Sequence, residues 1–107
     1  MPSRLVHRYA VYVRLPEGIV RRAIGRFPGF FVAVESCLAA YESTGHFGYA
    51  IEDERRHRAF MLDRGLLLQL AYLRAHDQAA FFGLLNRLDR SGGQADLESF
   101  LREHAAL

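Results

Sequence analysis

Five histidines and one cysteine are the side chains of this 107-residue sequence best suited to bind a metal or to act as a nucleophile. No two histidines have the spacing of a helical zinc motif, and Cys37 has no second cysteine with which to complete a mixed site. No neighbouring glycine elbow or positive charge would activate the Cys37 thiol, so we expect it to be buried and unreactive. The sequence therefore predicts neither a metal site nor a cysteine nucleophile. The histidines are His7, His46, His57, His76 and His104.

A run of three acidic residues at positions 52–54 could bind a cation, but arginines occupy three of the next four positions. We interpret this stretch as a solvent-exposed loop of mixed charge. The pair Gly92-Gly93 lacks the lysine of a phosphate-binding loop and the dinucleotide-binding fingerprint. Since no catalytic constellation is recognisable, we expect a protein that is not an enzyme and that holds no cofactor.

Positive charge is concentrated in the first quarter of the chain. Residues 1–26 contain six arginines and one glutamate, a net charge of +5, whereas the other 81 residues contain eight arginines and eleven acidic residues, a net charge of −3. Arginines beside an exposed aromatic side chain on a strand can bind single-stranded nucleic acid through phosphate contacts and base stacking. Nucleic-acid binding by this basic surface is therefore one functional hypothesis. Its candidate residues are Arg8, Arg14, Arg21, Arg22 and Arg26.

The first half of the chain predicts strands and short helices. Alternation of apolar and polar residues predicts a strand from Leu5 to Leu15 and a hairpin over residues 47–63. Apolar residues at helical spacing predict a short helix that ends at Phe27 and a second helix that starts at Phe30 and is capped by Gly45. Two alternatives remain open: a strand at the start of that second helix, and a helix through the charged run of the hairpin.

The second half predicts helices. Residues 65–90 have helical periodicity, but Asp77 would lie in the middle of the apolar face of one continuous helix. We therefore predict a break between Leu73 and Gln78, with Asp77 capping the second segment, and a last helix that starts near Asp96. Together these elements predict a single α+β domain over residues 1–107, with about three strands packed by several helices.

One face of the predicted sheet has an unusual composition. Phe47, Tyr49, Ile51, Phe60 and Leu62 point to the core, which leaves small, mildly apolar residues on the opposite face. An exposed sheet face is normally polar, so either a helix of this chain or another chain covers it. The candidate partner-binding residues are Arg4, Arg8, Ala10, Tyr12, Arg14, Gly48, Ala50, Ala59 and Met61.

These observations favour a small non-enzymatic interaction module, such as an adaptor, an inhibitor or a subunit of a larger assembly. The partner would be another protein or a second copy of the chain, and arginines would form the polar rim of the interface. The single cysteine, the absence of a signal-peptide pattern at the start and the lack of a long apolar stretch favour a cytoplasmic protein that does not bind a membrane.

Overall fold

The structure is a computed structural model that describes residues 8–14, 21–44 and 48–104. These residues form a four-stranded antiparallel sheet of order β2-β1-β3-β4 and four helices. The class is α+β with a helical C-terminal half, as predicted, but there are four strands rather than about three. The elements are β1 (Tyr9–Arg14), β2 (Arg21–Phe27), α1 (Phe30–Thr44), β3 (Gly48–Asp53), β4 (Arg58–Asp63), α2 (Arg64–His76), α3 (Gln78–Arg90) and α4 (Gln94–His104).

The core face of the sheet follows the predicted alternation. Tyr49 and Ile51 on β3 and Phe60 and Leu62 on β4 are fully buried, which confirms the hairpin and excludes a helix through its charged run. On β1, alternate residues of the strand point into the same core. The predicted strand Leu5–Leu15 and the predicted hairpin place four further residues on the core face, and these lie outside the described residues: Leu5, His7, Leu15 and Phe47.

Residues 21–27 form strand β2, so the prediction of a short helix here is wrong. The register of β2 against β1 shifts at Val11/Tyr12, because Ile24 is an extra residue that forms a β-bulge. The bulge interrupts the alternation of side chains, and the apolar residues Ala23, Ile24 and Phe27 recur in the sequence at a spacing that a helix would also give. Pairing with β1 decides the outcome, and Gly25 weakens the helical alternative.

Helix α1 begins at Phe30, so the alternative of a strand at this point is also wrong. The Phe30 ring lies 5.5 Å from the Tyr9 ring and 4.6 Å from the Phe60 ring, measured between centroids. Val34 and Leu38 follow on the same buried face. These contacts pack α1 across the core face of the sheet.

The helical region breaks at Asp77, as predicted. Helix α2 ends at His76, α3 begins at Gln78, and an Asp77 carboxylate oxygen accepts a hydrogen bond from the Ala80 N–H at 3.1 Å. A carboxylate oxygen of Asp63 caps α2 in the same way, through a backbone N–H at 2.9 Å. Both caps satisfy backbone donors that the helix itself leaves unpaired.

Helix α4 begins at Gln94, two residues before the predicted start near Asp96. Leu97 and Leu101 are buried in the core, and Phe100 packs partly against it. No helix of the described residues is long and apolar enough to cross a membrane.

Candidate functional site

Most of the predicted partner-binding residues lie on the face of the sheet opposite the core. Ala10 and Ala50 are only 2% exposed, and Gly48 is also buried. The register places Ala50 between Tyr12 and Met61, so this small side chain lies between larger ones. The two alanines and the glycine therefore contribute very little accessible surface to a partner.

The other predicted face residues are more accessible. Ala59 is exposed and Met61 is half-buried on β4, while Tyr12 is half-buried and Arg14 exposed on β1. Arg4 lies outside the described residues. Of these predicted residues, the accessible ones thus lie on β4 and in the second half of β1.

A shallow apolar depression lies on the β1–β2 side of the sheet. It has a volume of about 470 Å³, and residues of both strands line it. Ile24 at the bulge is 37% exposed, a large fraction for an isoleucine. The lining residues within the described part of the chain are Ala10, Tyr12, Ala23, Ile24, Gly25 and Arg26.

Arginines lie on both strands that line this depression, and Arg26 is itself a lining residue. Arg26 forms an ion pair with Glu54, and both side chains are substantially exposed. At the other end, Arg14 lies opposite Arg21 in the register, and Arg22 is the next residue of β2. The structure therefore brings four of the five arginines of the nucleic-acid hypothesis to β1 and β2.

The fifth, Arg8, belongs to a buried charge cluster that we call the arginine–aspartate cluster: Arg8, Tyr9, Asp53, Arg58 and Asp89. The Asp53 carboxylate accepts hydrogen bonds from Arg8 Nε at 3.0 Å and Nη2 at 2.9 Å, and from Arg58 Nε at 2.7 Å. The prediction that residues 52–54 lie in a solvent-exposed loop is wrong for Glu52 and Asp53, which belong to β3, and Asp53 is only 1% exposed. The Arg8 side chain is only 11% exposed, and it donates to Asp53 rather than to a partner.

The same cluster joins the sheet to the helices. The Tyr9 hydroxyl donates to Asp89 Oδ1 at 2.6 Å, and Arg8 Nη2 and Arg58 Nη2 donate to the Asp89 carbonyl oxygen. The Phe30 N–H also donates to Asp89 Oδ1, at 3.3 Å. The first residues of β1, β4 and α1 are thereby tied to the end of α3.

Two members of the cluster, Asp53 and Tyr9, have pKa values far from their usual ones. Burial would raise the pKa of Asp53, but hydrogen bonds from Arg8 and Arg58 and from two backbone N–H groups outweigh it and hold the pKa well below the usual 3.8. Burial, followed by the hydrogen bond to Asp89, raises the pKa of Tyr9. The carboxylate stays ionised and the phenol neutral, as a structural hydrogen-bond network requires.

The other candidate chemical groups that the structure describes form no cluster, while His7 and His46 lie outside the described residues. Cys37 is fully buried, and burial raises the pKa of its thiol to about 12, in line with the expectation of an unreactive side chain. His57, His76 and His104 are exposed in three separate parts of the chain. Among the residues that the structure describes, no three acidic, histidine or cysteine side chains come close enough to hold a metal ion.

The helices carry an exposed apolar surface that the sequence patterns do not predict. The rings of Phe31 and Phe82 lie 5.2 Å apart and are 37% and 43% exposed. Leu68 and Tyr72, one turn apart on α2, are 51% and 38% exposed. Phe31 follows directly after the buried Phe30, so the apolar pattern alone assigns it to the core face.

Comparison of the chain with protein-family models, with curated proteins and with solved structures finds no match.

Proposed function

We propose that the protein is a non-enzymatic interaction module that binds another protein through the outward face of β1 and β2. The observation that carries the proposal is the apolar depression of about 470 Å³ at Tyr12 and Ile24. An accessible apolar surface with a polar rim is typical of a protein interface, and arginine is enriched in such interfaces. Arg26 lines the depression, and Arg14 is an exposed arginine on the neighbouring strand β1.

The centre of the proposed interface differs from the one that the alternation predicts. Ala10, Gly48 and Ala50 are buried, so a partner gains little hydrophobic free energy from them. Tyr12 and Ile24 expose larger apolar groups on the β1–β2 side of the sheet. We therefore place the energetic centre at these two residues, with the exposed part of β4 at the distant side.

The proposal that the protein is not an enzyme is supported by how its charged groups are used. The carboxylate of Asp53 accepts five hydrogen bonds, from the side chains of Arg8 and Arg58 and from the N–H groups of Arg55 and Arg56. A general base needs a lone pair directed at a substrate proton. The five donors instead direct the Asp53 carboxylate into the fold.

The test is affinity capture from an extract of the native cells, with the wild-type protein and two variants as bait. Ile24→Asp places a charge in the depression and should abolish capture of the partner. Leu68→Asp changes a comparably exposed apolar residue on α2 and should leave capture unchanged. Circular dichroism verifies that both variants fold. Equal capture by wild type and Ile24→Asp would refute the proposed interface.

A nuclease arm separates the two functional hypotheses. If a protein partner binds directly, treatment of the extract with nuclease leaves capture unchanged. Loss of capture on nuclease treatment would show that nucleic acid holds the complex, and would favour the nucleic-acid hypothesis over the present proposal.

A further inference from the structure

The two edge strands of the sheet, β4 and β2, differ in what contacts their outer backbone groups. At the β4 edge, the Gln94 side chain accepts a hydrogen bond from the Met61 N–H at 2.7 Å and donates one to the Met61 C=O at 2.9 Å. This amide occupies the position that a further strand would take. At the other edge, β2 has β1 as its only strand neighbour in the described sheet. Its residues Ala23, Ile24 and Arg26 are exposed.

The hydrogen bonds between β1 and β3 determine in which direction the backbone groups of β2 point. The Glu54 N–H donates to the Arg8 C=O at 3.0 Å, in register with the β1–β3 pairing. Backbone groups alternate in direction along a strand, so Tyr12 directs its N–H and C=O toward β3. Ala23 lies opposite Tyr12 in the register and therefore directs its N–H and C=O away from β1, toward the outer edge.

Charge identifies which strand fits this edge. Strand β2 contains Arg21, Arg22 and Arg26 and no acidic residue. Pairing with a second copy would bring together two strands that each contain three arginines and no acidic residue. Like charges on neighbouring strands destabilise their pairing, so the arginines oppose self-association. Arg26 is paired with Glu54, so the charges that attract an acidic strand lie at the other end of β2, where Arg14 is opposite Arg21.

From these observations we infer that the partner contributes an extended acidic segment that adds to the edge of β2 as a fifth strand. The inference rests on the proposed function and specifies its mode of binding. Main-chain hydrogen bonds at Ala23 supply affinity. Acidic side chains lie near the Arg14–Arg22 end, and one apolar side chain occupies the depression beside Ile24.

The experiment begins with a library of random ten-residue peptides displayed on phage and selected on the immobilised full-length chain. We expect the selected peptides to be rich in aspartate and glutamate and to contain at least one large apolar residue. One selected peptide is then synthesised as the probe. Selection of neutral or basic peptides, or no enrichment, would overturn the inference.

Two matched measurements then test strand addition itself. N-methylation of alternate residues removes the hydrogen bonds of one edge of the probe, so methylating one alternate set should abolish binding and methylating the other should not. Binding should also slow hydrogen exchange of the Ala23 amide about tenfold or more, with the amide of Phe27, which faces β1, unchanged. Equal tolerance of both methylated peptides, or protection that omits Ala23, would overturn the inference.

A charge-reversal variant tests the role of the basic end. Arg14→Glu should weaken binding of the acidic probe about tenfold. A lysine-substituted probe should bind this variant better than it binds wild type. If Ile24→Asp abolishes partner capture but these peptide results fail, the proposed interface stands and only the strand mode is wrong. If Ile24→Asp leaves capture unchanged, the proposed function itself fails.

Discussion

Asp53 is the residue on which the junction of sheet and helices depends. It is 1% exposed and its carboxylate lies between Arg8 and Arg58, and both arginines also donate to the carbonyl oxygen of Asp89. Removing one partner from a buried ion pair leaves an uncompensated charge, which costs more free energy than the pair itself contributes. We therefore expect Asp53 to contribute strongly to stability, although its sequence neighbourhood is typical of a solvent-exposed loop.

We expect Asp53→Asn to lower the free energy of unfolding by about 3–5 kcal/mol at pH 7. The neutral amide no longer balances the two guanidinium groups, which remain mostly buried. Urea denaturation followed by circular dichroism measures the change. Glu54→Gln is the matched control: it removes an exposed ion pair with Arg26, and its effect should be below about 1 kcal/mol. Similar losses for the two variants would contradict the assignment of Asp53 as the centre of the cluster.

The contribution of Asp53 should also depend on pH. Its pKa is lower in the folded chain than the usual 3.8, so the unfolded chain takes up the proton first as the pH falls. The stabilisation is therefore fully present above about pH 5 and is lost progressively below about pH 4, toward the pKa of the folded state. Unfolding free energies of wild type and Asp53→Asn, measured from about pH 7 to about pH 2, should converge as the pH falls. A difference that stays constant over this range would contradict the linkage.

At the scale of the elements, short polar caps define where the helices begin. Asp63 starts α2 directly after β4, and Asp77 separates α2 from α3. An apolar pattern alone would continue the helix through residue 77, so the carboxylate is the local signal that ends one helix and starts the next.

Asp77→Ala should lower the free energy of unfolding by about 1 kcal/mol, since the Ala80 N–H loses its acceptor. Asp77→Asn keeps an acceptor oxygen at the same position and should cost much less, because asparagine is as good an N-cap as aspartate. Thermal and urea denaturation of the two variants provide the measurement. Equal destabilisation by alanine and asparagine would show that the cap hydrogen bond is not the cause.

Gln94 has a comparable role at the edge of the sheet. Gln94→Ala should destabilise the fold by about 1–2 kcal/mol, because the Met61 N–H and C=O lose their contacts with the amide. It should also expose the β4 edge and promote concentration-dependent association, which analytical ultracentrifugation measures. Glu103→Gln changes an exposed side chain on the same helix and is the control. Unchanged stability and unchanged association of Gln94→Ala would contradict this role.

At the scale of the whole molecule, the basic character of the N-terminal quarter is partly used within the fold. Arg8 neutralises Asp53, and Arg26 pairs with Glu54. The net charge of +5 over residues 1–26 thus overstates the positive charge that β1 and β2 present to a partner.

We therefore expect no measurable binding of single-stranded RNA or DNA oligonucleotides at about 50 mM salt, where phosphate contacts are strong. Fluorescence anisotropy with labelled probes of about twenty nucleotides measures this. Binding with a steep salt dependence that is lost when Arg14 and Arg26 are both changed to glutamate would contradict the expectation and favour the nucleic-acid hypothesis.

The sequence by itself determined the elements whose signals are local. Alternation predicted β1 and the β3–β4 hairpin with the correct core face at Tyr49 and Leu62, and the position of Asp77 predicted the helix break. These predictions succeed because side-chain period and cap chemistry act over a few neighbouring residues.

Only the tertiary structure decided the features that depend on distant residues. The apolar residues of the segment 21–27 recur at helical spacing, but pairing with β1 makes the segment a strand with a bulge at Ile24. Arg8 and Asp53 are 45 positions apart, so no local sequence pattern predicts their ion pair. For the same reason the sequence does not show that Arg8 is unavailable to either candidate binding surface. The location of the depression depends in turn on which strand lies beside β1. Strand pairing and buried ion pairs join residues far apart in the chain, and their free energy depends on an environment that exists only once the chain has folded.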